Sequence, residues 1–111
     1  MYVYFLRTEG KLKIGKSRDP ISRMKSLQTG CPTEIKLVGA IKCKSDAHAL
    51  LVEKRFHEFF STRHRRGEWF QCTDVVLHKV WELLNRLAEE DGDVKALSEI
   101  DFQRIQSRAY A

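Results

Sequence analysis

Tyr2-Val3-Tyr4-Phe5-Leu6-Arg7-Thr8-Glu9-Gly10-Lys11-Leu12-Lys13-Ile14-Gly15-Lys16-Ser17 is the stretch that decides the fold. Residues 2–7 and 12–16 read as two strands joined by Thr8-Glu9-Gly10, a short glycine-containing hairpin loop. Tyr2, Tyr4 and Leu6 share one face of the first strand, Val3 and Phe5 the other. With aromatic and apolar side chains on both faces, this strand belongs inside a sheet rather than at its edge. The spacing from Gly10 to Gly15-Lys16-Ser17 matches a phosphate-binding loop. Such a loop sits between a buried strand and a helix, however, whereas Lys11 to Lys16 alternates as a strand does.

Working outward, Asp19-Pro20 reads as a helix start, with Asp capping free N–H groups and Pro preorganised at the first helical position. Ile21, Met24, Leu27 and Gln28 form its stripe, and Gly30 stops it. Residues 34–42 read as a third strand. Ser45-Asp46 opens a second helix that runs to about residue 61. Ala49, Val52, Phe56, Phe59 and Phe60 fall within a sector of about 100° on it, with Glu53 about 20° past Phe60. Residues 62–66 read as a basic loop and Gly67-Glu68-Trp69-Phe70-Gln71 as an extended segment. Thr73-Asp74 caps a third helix striped by Leu77, Val80, Trp81, Leu84, Leu87 and Ala88 and ended by Gly92. Residues 94–108 carry a weaker helical pattern anchored on Leu97, Ile100 and Ile105. The expected fold class is α/β: a small, mostly antiparallel three-stranded sheet flanked by helices, with additional C-terminal helices. Residues 1–72 form the core, and 73–111 a helical extension packed on the same domain.

A chain of 111 residues, 42% hydrophobic and 32% charged, is the size and composition of one globular domain. No apolar run reaches the roughly 20 residues of a membrane span, and the first residues read as neither a signal nor a transit peptide. Cys31, Cys43 and Cys72 are odd in number and form no CxxC pair, which points to three reduced thiols. The charge is uneven. Residues 1–66 hold 15 Lys/Arg against 6 Asp/Glu, and residues 67–111 hold 5 against 9. A cationic front suits a polyanionic partner. Lys13, Lys16, Arg18, Lys25, Arg55, Arg63, Arg65 and Arg66 are the candidate phosphate contacts. Glu53 and His57, one helical turn apart, are spaced to serve one metal ion; a surface Glu beside an apolar stripe is the plainer reading.

The order of these features resembles the GIY-YIG nuclease superfamily. Tyr2-Val3-Tyr4 and Lys13-Ile14-Gly15 stand where that family has its two namesake tripeptides. A helix bearing Arg23, a third strand and a helix bearing Glu53 then follow. Lys13-Ile14-Gly15-Lys16-Ser17, Leu27-Gln28-Thr29-Gly30, Glu53-Lys54-Arg55-Phe56-His57 and Gly67-Glu68-Trp69-Phe70 are similar to a phage and bacterial branch with KIG in place of YIG. The resemblance covers about residues 1–72. It implies a metal-dependent endonuclease acting on DNA. In that reading Tyr4 helps activate water, Lys13 occupies the place of a second tyrosine, and Arg23 contacts the scissile phosphate. Glu53 holds one divalent ion, Mg²⁺ or Mn²⁺, and His57 either touches that ligand or is solvated. It also implies a bacterial or phage-infected cytoplasm, and a second copy or a partner protein that supplies specificity. The alternative is a nucleic-acid-binding or protein-interaction module that does not cleave.

Overall fold

The computed structural model describes residues 1–67, 69–90 and 95–98, with Arg65 and Lys95 described by their backbone alone. Its centre is the hairpin of β1 (Tyr2–Thr8) and β2 (Lys11–Ser17). The turn is tighter than the expected loop: only Glu9 and Gly10 lie outside the strands, at φ 41° and 72°. Two successive positive φ values match the right-handed twist of the flanking strands. They set the register in which Thr8 faces Lys11 and Tyr4 faces Gly15.

β3 (Lys36–Lys42) pairs antiparallel with the other side of β1, so β1 is interior as its two apolar faces require. The three-stranded core is extended on both sides, a correction to the expected sheet size. β4 (His64–Arg66) and β5 (Trp69–Gln71) join beside β2, and β6 (Lys95–Leu97) joins beside β3. Among the described residues the sheet has six strands in the order β4-β5-β2-β1-β3-β6. The basic stretch expected as a loop is therefore a single 3-10 turn, Ser61–Arg63, followed by an edge strand. The segment carrying Leu97 is strand, not helix, while Gly92, Ile100 and Ile105 lie outside the described residues.

Helix α1 (Pro20–Thr29) starts as expected: the Asp19 carboxylate accepts from the Ser22 N–H at 3.1 Å, with Pro20 following. Gly30 ends it at φ −99°, where any residue fits. Ser45 and Thr73 cap α2 (Asp46–Phe59) and α3 (Asp74–Glu90), accepting from His48 and Val76 N–H groups at 3.1 and 3.2 Å.

The alternation of β1 divides the core. Tyr4 and Leu6 face α1 and cluster with Ile21, Ile35, Leu37 and Ala40. Val3 and Phe5 face α2 and α3 and cluster with Ile14, Val52, Phe56, Val76, Val80 and Leu84. The Phe5 and Phe56 rings meet edge to face at 4.9 Å. Phe59, expected in the buried stripe, is 51% exposed because α3 covers only part of it. Against β3, the indole of Trp81 from α3 lies over Gly39, 3.0 Å from where a side chain would begin.

Candidate active site

Gly15 lies under the first of the expected site residues, Tyr4. Tyr4 stands directly across from it in the neighbouring strand, and the hydroxyl end of the tyrosine ring lies against the glycine. A Cβ built on Gly15 would stand 2.5 Å from the Tyr4 hydroxyl oxygen and 2.7 Å from Cζ. The hydroxyl is held there by packing, since Tyr4 is only 2% exposed among Leu6, Ile21 and Ile35. Sequence reasoning quoted Gly15 within a motif but assigned it no role; its register partner is the signal that gives it one.

Glu53 and His57 approach the same strand from α2, on the other side of the sheet. β5 covers β2 only from Lys11 to Lys13. Just past that cover, His57 Nε2 lies 3.0 Å from the Ile14 carbonyl oxygen. A carbonyl oxygen only accepts, so Nε2 carries the proton and donates. The His57 ring also packs edge-on against Phe70, at 5.0 Å between centres. Glu53 Oε1 is 3.8 Å from the same nitrogen, and the Glu53 side chain is 14% exposed. The carboxylate and the phenol thus come to one short piece of β2, the first by way of Ile14 and the second over Gly15.

The other expected residues divide. Lys13 shares the Tyr4 face of β2, is 8% exposed, and holds its ammonium 5.3 Å from the centre of the Trp69 ring. Arg23 and Lys25 are exposed on α1, the helix that packs over Tyr4. Lys16, next to Gly15, is exposed, and Arg66 is exposed on β4. Arg18 is exposed and pairs with Asp46 at 3.5 Å, an interaction that water and salt leave weak. Arg55 and Arg63 are not part of the gathering. Arg55 lines a groove between α2 and α3 with Phe59, Leu83 and Glu90, and Arg63 lies beside Val75 and Lys79. The three cysteines are free thiols.

Residues 1–88 match the T5orf172 domain. The chain belongs to the T5orf172 domain family. This family is GIY-YIG-like and nuclease-associated, and the α/β sheet with its three helices is compatible with a GIY-YIG-like fold. The T5orf172 match extends past residue 72 and takes in most of α3, whose Val76, Val80 and Leu84 lie in the main apolar cluster. No curated protein matches the chain. No solved structure matches it either.

Proposed function

We propose that this T5orf172 domain is a metal-dependent endonuclease that hydrolyses DNA phosphodiester bonds, with Lys13-Ile14-Gly15 as its form of the second GIY-YIG tripeptide. The observation that carries this reading is the Tyr4 phenol over Gly15 and the Glu53–His57 pair beside the adjacent Ile14, reached from the two faces of the uncovered end of β2. A binding module has no use for a carboxylate where a phosphate is to sit.

The donor set suits one loosely held ion. Among the described residues no three His, Cys, Asp or Glu side chains form a metal cage, and His57 Nε2 is engaged by a carbonyl. Glu53 remains as the protein ligand. Mg²⁺ keeps most of its waters and binds through one or two carboxylates plus substrate phosphate, so a single carboxylate fits it. When bound, such an ion would offset the charge that develops on the phosphate. The chain's own residues do the rest. The Tyr4 hydroxyl orients the attacking water and takes part in moving its proton. The Arg23 guanidinium, reaching from α1, holds the phosphate. His57 fixes α2 to β2 so that Glu53 faces the strand edge.

Tyr4→Phe and Arg23→Ala are expected to differ in kind. Loss of the phenol removes proton handling, lowering kcat about 10²-fold with DNA affinity unchanged. Loss of the guanidinium lowers kcat and also weakens binding, by about 1.5–3 kcal/mol in total, the range for a charged hydrogen bond. Single-turnover cleavage and equilibrium binding in EDTA separate the two. A second expectation concerns the cationic surface. Log K against log[salt] on duplex DNA should fall with a slope of about −3 to −4 for roughly four phosphate contacts, and Arg65→Ala with Arg66→Ala should flatten it by up to about two units.

The direct test is incubation of the chain with supercoiled plasmid in Mg²⁺, Mn²⁺ or EDTA. Nicking in the metal ions alone supports the endonuclease. Salt-dependent binding without nicking in any of them would return the chain to the binding-module reading.

A further inference from the structure

The face of the sheet that carries the Tyr4 phenol continues from β2 onto β5 and β4. Lys13 is paired with Trp69, and Trp69 with Arg66. Cation, aromatic and cation therefore stand in one row across three strands. Lys13 is two residues from Gly15, and side chains two apart on a strand share a face. Trp69 is half-buried, yet it belongs to neither apolar cluster. The other tryptophan, Trp81, packs on the main cluster against Gly39, on the opposite face. Core packing thus accounts for Trp81 and leaves Trp69 unexplained. One contact it does make is with the Lys13 ammonium.

We propose that Trp69 is a stacking platform for an unpaired base, and that the substrate is DNA with a single-stranded nucleotide beside the cleaved phosphate. This rests on the endonuclease reading above. From Gly15, Trp69 is about 7 Å along β2 and one strand spacing of about 4.8 Å across, which is nucleotide scale. A base stacked on the indole then belongs to a nucleotide next to the phosphate that the Tyr4 phenol and Arg23 address. Lys13 and Arg66 then meet the phosphates on either side of that base. Bases inside a duplex are already stacked and offer no free face. Unpaired ones do, and every base has such a face, so the preference is for strand state and not for sequence.

The test measures binding of the full chain to a labelled oligothymidylate and to a hairpin duplex, in EDTA, over a range of salt. Trp69→Ala is expected to weaken oligothymidylate binding about tenfold and duplex binding much less, with the salt slope unchanged because no charge is lost. Trp69→Phe, which keeps an aromatic face, should retain most of the affinity. Oligothymidylate should also quench the tryptophan emission of the wild type, but not that of Trp69→Phe, in which only Trp81 emits. Folded Trp69→Ala with wild-type oligothymidylate affinity, or an equal loss on both DNAs, overturns the platform and leaves the nuclease reading standing. Failure of the wild type to bind either DNA overturns both.

Discussion

Glu53→Gln should abolish plasmid nicking while the protein still folds and still binds DNA. The substitution keeps the size of the side chain and its place on α2, so His57 retains its contact with the Ile14 carbonyl. What it removes is the carboxylate that comes to this edge of β2 by way of His57. Charge stabilisation by a bound divalent ion amounts to several kcal/mol in phosphoryl chemistry, so turnover should drop by about 10³-fold or more. Excess Mn²⁺ should not restore it. Melting temperature and DNA affinity in EDTA provide the controls, and normal cleavage by Glu53→Gln would remove Glu53 from the chemistry.

Gly15→Ala should damage both stability and turnover, although it adds a single methyl group. The added carbon meets the Tyr4 oxygen and Cζ at 2.5 and 2.7 Å. The ring cannot swing aside, because Tyr4 is buried among Leu6, Ile21 and Ile35. Overpacking of this kind costs about 1–3 kcal/mol, which for a domain of this size lowers Tm by roughly 5–15 °C. A phenol pushed by about 1 Å also loses about 10²-fold in rate. Adding Tyr4→Phe to Gly15→Ala should recover part of the Tm, because the closest atom is gone, and none of the activity. Wild-type Tm in Gly15→Ala would show that the ring can move.

The elements with long-range demands written into each residue were legible in the sequence. β1 could only be interior, since Tyr2, Val3, Tyr4, Phe5 and Leu6 leave no solvent face, and Asp19-Pro20, Ser45 and Thr73 mark helix starts by local chemistry alone. The short edge strands were not legible. Three residues are too few for alternation to register, so His64-Arg65-Arg66 read as a basic loop and Leu97 as one anchor of a helical spacing. Gly15 depended on register. A three-residue loop closing Arg7 on Lys11 would set Tyr4 against Ile14, whereas the two-residue turn sets it against Gly15. Arg55 and Arg63 were grouped with the other cations by sequence proximity and charge, and neither property says which side of a helix faces the site.

The edges of the sheet limit how the protein can associate. Among the described residues each ends in a strand of three residues, β4 with two arginines and β6 beginning at Lys95. Short, cationic borders are poor templates for pairing with another chain. Copies crowded together on a polyanion therefore have little tendency to add strand to strand and grow into fibres. An assembly of two copies is expected to use helical surfaces instead, which under the proposed endonuclease reading leaves the cationic border to DNA.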